Sequence, residues 1–152
     1  IAIIDNKEAN EIITDYESAR EYLGGSPNTS SKLTQKNPQS FGMLESLSSL
    51  VMDANPKHVK ALIAMNKLFT IAQAWNKADG FVPDFSNLNQ KKWFPWFRYS
   101  DDAAGFVYVY TIAAATDAIA AFGSRLCFKT DKRARQFGEQ FIDLWNDFLL
   151  FR

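Results

Sequence analysis

Apolar residues recur every three or four positions near the end of the chain: Ala134, Phe137, Phe141, Leu144, Trp145, Phe148 and Leu149. That period lines one face of a helix, so a single long helix is expected over 131–150, capped by Thr130. Arg133, Glu139, Gln140, Asp143 and Asp147 fall on its polar face. A second helix is expected over 56–78, with Asn55 as cap, Pro56 at the first helical position and Asp79-Gly80 as its stop. Ala61, Leu62, Met65, Leu68, Phe69, Ala72 and Trp75 give it a broad apolar face. A short helix over 15–23 follows from a capping box between Thr14 and Glu17 and a left-handed stop at Gly24-Gly25. It would bury Ala19, Tyr22 and Leu23, with Ile12 and Ile13 docking ahead of it as a staple. Leu44, Leu47, Leu50 and Val51 predict a further helix over 41–54.

The pattern changes after Gly80. GFVYVYTI over 105–112 is β-branched and aromatic, the best strand in the chain. KWFPWFRY over 92–99 is a strand that Pro95 confines to a sheet edge or a bulge. FGSRLCFK over 122–129 reads as a third strand, placing Arg125, Cys127 and Lys129 on one face and Leu126 and Phe128 on the other. The alanine-rich stretch 113–121 fits a helical turn or a wide hairpin connection, and the hairpin is favoured. Residues 24–40 are rich in Pro, Gly, Ser and Asn and read as a flexible linker. Two parts result: 1–40, an N-terminal helix and linker, and 41–152, a single α+β domain. The expected fold class is α+β, with N-terminal helices, then a small antiparallel sheet of about three strands, covered by a long C-terminal helix.

Composition narrows the function classes. The chain of 152 residues can bury a core without covalent staples. Lys and Arg number 17 and so do Asp and Glu, which excludes a binder working through overall charge. One Cys and one His exclude an intrachain disulfide framework and a Cys/His zinc cluster. The most apolar run, 106–122, is too short for a membrane span and contains Asp117. IAII at the start is too short for the apolar core of a signal peptide. The lone Cys127 fits a reducing compartment.

Catalytic signatures are sparse. The sequence has no Walker loop, no Gly-x-Gly-x-x-Gly and no Gly-x-Ser-x-Gly elbow. His58 is the sole imidazole, readable as a base for Cys127 or as a solvent-facing helix residue. Cys127 lies between Arg125 and Lys129, which would favour a thiolate, although a lone Cys in an apolar strand is more often a small core residue. Asp101, Asp102 and Asp117 lack metal-ligand spacing, so neither a metal nor a cofactor is expected.

Basic residues interleave with aromatics. Lys91, Lys92 and Arg98 flank Trp93, Phe94, Trp96, Phe97 and Tyr99, and residues 125–135 hold five cations against one carboxylate. Lys91, Lys92, Arg98, Arg125, Lys129, Arg133 and Arg135 are therefore the candidate contact residues. Such a sheet suits single-stranded nucleic acid through stacking and phosphate contacts. The alternative makes the aromatics core and the lysines solubilising edge charges.

KKWFPWF over 91–97, GFVYVY over 105–110, GSRLCFK over 123–129 and QFGEQFIDLWNDFLL over 136–150 carry a resemblance, as does the connector Pro83–Asn87. Together they resemble an uncharacterised family from gut Bacteroidetes phages, prophages and mobile elements. The likeness spans roughly 55–150, and GSRLCFK is its most specific stretch. The chain departs from the family over 113–121, where alanines replace a more polar loop. The resemblance implies a phage or mobile-element origin, in the cytoplasm of a bacterial host or in a virion, and supplies no activity. The leading expectation is thus a non-enzymatic accessory protein that binds a macromolecule, either protein or single-stranded nucleic acid, and no membrane. A virion or assembly protein held by protein contacts, oligomeric or not, is the alternative, and a small enzyme using Cys127 the second.

Overall fold

The computed structural model describes residues 7–24, 55–117 and 123–152. The expected helix over 41–54, most of the 24–40 linker and the end of the alanine-rich connection lie outside them. The elements in chain order are α1 (Ala9–Ile12), α2 (Tyr16–Tyr22), α3 (Pro56–Ala78), β1 (Lys92–Ser100), β2 (Gly105–Ala114), a 3₁₀ turn (Gly123–Leu126), α4 (Asp131–Gln140) and α5 (Ile142–Leu149). The class is α+β: helices packed with a two-stranded antiparallel sheet.

Helix α3 forms where its caps place it. The Asn55 side chain accepts from the Lys57 amide at 2.9 Å, and Pro56 opens the helix without wasting a donor. Its end is a Schellman motif. Gly80 takes φ +62°, its N–H donates to Lys77 O at 3.2 Å, and Phe81 N–H donates to Asn76 O at 2.8 Å. The α2 box sits one residue beyond expectation. Asp15 caps by accepting from the Ser18 amide at 2.8 Å, and Ser18 Oγ accepts in return from Asp15 N–H at 3.1 Å. A carboxylate beside the positive helix end outcompetes the Thr14 hydroxyl. Ile13 and Ala19 enter the core as expected.

Two expectations are corrected. There is no third strand over 122–129 among the described residues: Gly123–Leu126 is a 3₁₀ turn, and only Phe128 pairs, by one bridge to Trp93. Gly123 at φ +47° turns the chain, and Leu126, Cys127 and Phe128 are all buried, which two-sided strand alternation does not allow. The closing helix is two helices. At Phe141, φ −108° and ψ 29°, the backbone leaves the helical region, while Phe141 N–H still reaches Phe137 O and Trp145 N–H reaches Phe141 O. The kink lets α4 lie on the hairpin while α5 turns onto α3. Finally, α1 precedes α2, a turn that the sequence pattern left ambiguous.

The hairpin explains Pro95. Trp93 directs both its N–H and its C=O away from β2, to Phe128. Two residues on, Pro95 presents its missing donor to the same outer edge, so the β1–β2 ladder loses nothing. Helix α4 crosses this side of the hairpin at Gly138. A Cβ there would meet Pro95 Cβ at 2.9 Å and Tyr108 Cδ2 at 3.0 Å. Gly138→Ala gains about 1 kcal/mol of helix propensity but overpacks the contact. We expect a net loss of about 1–2 kcal/mol in urea denaturation.

Arg133 binds the N-terminal helices to α3 and α4. Its guanidinium donates to both Asp79 oxygens, at 2.9 and 3.0 Å, and to Asn10 Oδ1 at 3.0 Å. Both members of the ion pair are largely buried, at 13% and 14% side-chain exposure. Removing the Asp79 carboxylate leaves this buried guanidinium, among the described residues, only the half-exposed Glu8 as counter-charge at 3.6 Å, so Asp79→Ala is expected to cost about 3 kcal/mol. Glu139→Ala, which breaks the exposed Arg135–Glu139 pair, is expected to cost under about 0.5 kcal/mol in the same assay.

Candidate functional site

The two faces of the hairpin differ. One carries Trp93, Pro95 and Phe97; Phe97 packs on Trp145 with ring centroids 4.7 Å apart. The other carries Lys92, Phe94, Trp96 and Arg98. The register jumps between Trp96 and Phe97: Trp96 pairs with Tyr110 but Phe97 with Tyr108, leaving Val109 as the extra residue of a bulge. Without the bulge, Tyr108 and Tyr110 would share a face. With it, Tyr108 turns to the helices and Tyr110 to the open side.

On that open side Trp96 and Tyr110 stack, with centroids 6.0 Å apart and planes 13° from parallel. They are 43% and 44% exposed, so half of each large ring stays in water. Arg98 stands two residues along β1 on the same face, exposed, with no ion-pair partner among the described residues. Lys91 is likewise exposed and unpaired at the start of β1. The remainder of this face is covered: Phe94, Ile112 and Ala114 pack with Phe81 and Cys127 in a small satellite core.

The other candidate cations do not join this face. Lys92 is fully buried; its Nζ donates to Gln90 O at 2.8 Å and Ala115 O at 2.6 Å and lies 5.0 Å from the Phe85 ring. The expectation of Lys92 as a surface contact is thus corrected: its ammonium holds two loops together from inside. Arg133 is committed to Asp79. Lys129 is exposed and donates to Asp79 O at 3.1 Å. Arg135 pairs with Glu139 on α4. Arg125 rims a separate groove beside α3. Sequence reasoning missed the bulge that orients Tyr110, and no local signal in VYVYT marks it.

The Cys127 reading is also resolved in space. Cys127 O accepts from Asn76 Nδ2 at 2.9 Å near the C-terminal end of α3, whereas His58 stands in its first turn against Phe151. Eighteen helical residues separate His58 from Asn76, a rise of about 27 Å. The two therefore form no nucleophile–base pair. Asp101 and Asp102 sit exposed at the hairpin tip and Asp117 beyond its opposite end, about 30 Å away along β2. Among the described residues no three His, Cys, Asp or Glu side chains gather in one place, and no helix is long and apolar enough to cross a membrane.

No protein-family model, no curated protein and no solved structure matches the chain.

Burial pushes the Cys127 thiol up from its ordinary 9.0 to about 11, with Lys92 opposing. The folded state therefore holds the proton more tightly than the unfolded chain. The stability this gives is complete below about pH 9 and is lost as pH rises toward 11. At neutral pH the native thiol is expected to resist a disulfide reagent that reacts at once in denaturant. Fast labelling of the native protein would restore the reactive-thiol reading.

Proposed function

We propose that this chain is a non-enzymatic binding module of phage or mobile-element type, and that its ligand is single-stranded nucleic acid held on the open face of the hairpin. One observation carries the reading: a parallel, half-exposed Trp96–Tyr110 stack with an unpaired Arg98 on the same face. Bases stack on such rings regardless of sequence, and a flanking guanidinium meets the backbone phosphate. The zero net charge supplies no long-range field. Binding is therefore modest and local, with little discrimination among bases. A place in the host cytoplasm or in a virion belongs to the same reading.

The experiment is an anisotropy titration with labelled single-stranded DNA and RNA at two salt concentrations. With Lys91 and Arg98 as the phosphate contacts, log K is expected to fall against log salt with a slope of about −1.4. Trp96→Ala is expected to weaken binding about tenfold, since each stacked base contributes about 1–3 kcal/mol. Arg98→Ala should lower the salt slope by about half. Absence of binding at low salt sinks the nucleic-acid reading and leaves the same face to a protein partner, where exposed Trp, Tyr and Arg also favour an interface.

A further inference from the structure

A second surface feature lies away from the hairpin face and independent of it. A groove of about 710 Å³ runs between α3, the end of α2, the connector after Gly80 and the 3₁₀ turn. That volume is within the range of small-molecule sites. We infer that this groove binds a small organic anion: one carboxylate or phosphate head on a flat, partly apolar body that carries an N–H or O–H donor.

The head is assigned by charge. Lys77 and Arg125 both line the groove, and neither has a carboxylate partner among the described residues. Each is held beside a ring, Lys77 at 5.5 Å from the Tyr22 centroid and Arg125 at 5.8 Å from that of Phe69. A ring fixes a cation without neutralising it, which leaves the donors of both side chains for an incoming anion. Both line the one groove, so an anionic head there meets a positive lining, and the Arg125 guanidinium can grip it with two donors.

The body is assigned by the floor. Phe69 supplies an apolar surface there. Asn76 lines the same groove about two turns further along α3, 7% exposed, with its Nδ2 already donating to Cys127 O. Its Oδ1 is buried and accepts from nothing among the described residues. A buried acceptor without a donor costs about 1–3 kcal/mol. A ligand whose apolar body lies along α3 from Phe69 and whose N–H or O–H reaches Asn76 Oδ1 recovers part of that. Nucleoside monophosphates and aryl carboxylates share this chemistry, and the test separates them.

The full isotope-labelled chain is titrated in proton–nitrogen NMR with ribonucleoside monophosphates, with 4-hydroxybenzoate and indole-3-acetate, and with inorganic phosphate alone. Shifts centred on the amides of Thr70, Gln73, Asn76 and Arg125 are expected from one organic series, and the series that produces them identifies the source. The Lys77→Met/Arg125→Met double variant, both sites being at the groove rim, is expected to keep its melting temperature and to lose affinity about tenfold or more. Trp96→Ala is expected to leave groove binding unchanged, so a failure of the nucleic-acid reading does not touch this one. Three results overturn the inference: no shift at those amides, shifts that persist in the double variant, or inorganic phosphate alone reproducing the full response. The first excludes a ligand, the second an anionic head and the third a bound body.

Discussion

The Trp75 indole is the contact on which the described parts of the molecule converge. Its Nε1–H donates to Ile13 O at 3.0 Å, which anchors the link between α1 and α2. Its ring meets Phe137 at 5.2 Å, Phe141 at 5.6 Å and Phe128 at 6.4 Å, all edge-on. Edge-on contact sets the positive rim of one ring on the negative face of another, worth about 0.5–1.5 kcal/mol per pair beyond burial. The Arg133 guanidinium lies 5.8 Å from the same indole. Asp79, one turn beyond Trp75, holds that guanidinium from the other direction. A cation this deeply buried is tolerated because a carboxylate and an aromatic face both meet it. The kink at Phe141 belongs to the same arrangement, since it turns Phe141 onto Trp75 and Trp145 onto Phe97.

With that centre fixed, the described helices cover the hairpin on one side. Helices α4 and α5 take the face of Pro95, Phe97 and Tyr108, at close approach through Gly138. The Asn146 carboxamide secures the start of β2 by accepting from Phe106 N–H at 2.6 Å and donating to Phe106 O at 3.0 Å. Among the described residues, the opposite face receives the connector after α3, through Phe81 and Phe85, and Cys127 beside it. That connector reaches Lys92 and Phe94 and stops short of Trp96. The bulge at Val109 then adds Tyr110 to the uncovered half. An exposed aromatic pair thus arises from three separate causes: a helix pair occupied elsewhere, a short connector, and one extra residue in β2.

Local rules made much of this legible. Asn55-Pro56 and Asp79-Gly80 delimit α3 at the very residues observed, because caps and stops act within a few residues of themselves. The hairpin strands were legible from β-branched and aromatic content, and Pro95 correctly marked an edge. What was not legible depends on distant partners. FGSRLCFK alternates like a strand, yet its middle is drawn into the core by Asn76 and by the rings around Trp75, 51 residues away in the case of the Asn76 bond. The period over 131–150 continues straight through Phe141 and gives no sign of the kink. Lys92 and Arg133 read as surface cations because charge in a sequence carries no record of which carbonyls or carboxylates will enclose it.

The balance of charge conceals a sorting that bears on what the surface can do. The carboxylates that form ion pairs take up Arg20, Lys60, Lys132, Arg133, Arg135 and Arg152. Lys92 is enclosed by carbonyls. Among the cations outside this list, Lys91 and Arg98 stand at the hairpin and Lys77 and Arg125 at the groove. At each place an exposed or partly exposed aromatic side chain stands close to the cation. With no net charge to steer it, an anionic ligand of the kind proposed would meet this protein at an unsteered rate, about 10⁵–10⁶ M⁻¹s⁻¹ for a macromolecule. Affinity must then come from short-range stacking and hydrogen bonds that slow departure. A ring beside an unpaired cation provides both, and that is the ground for proposing recognition at these two places rather than on Lys129, Lys132, Arg133 and Arg135, of which three are tied to carboxylates.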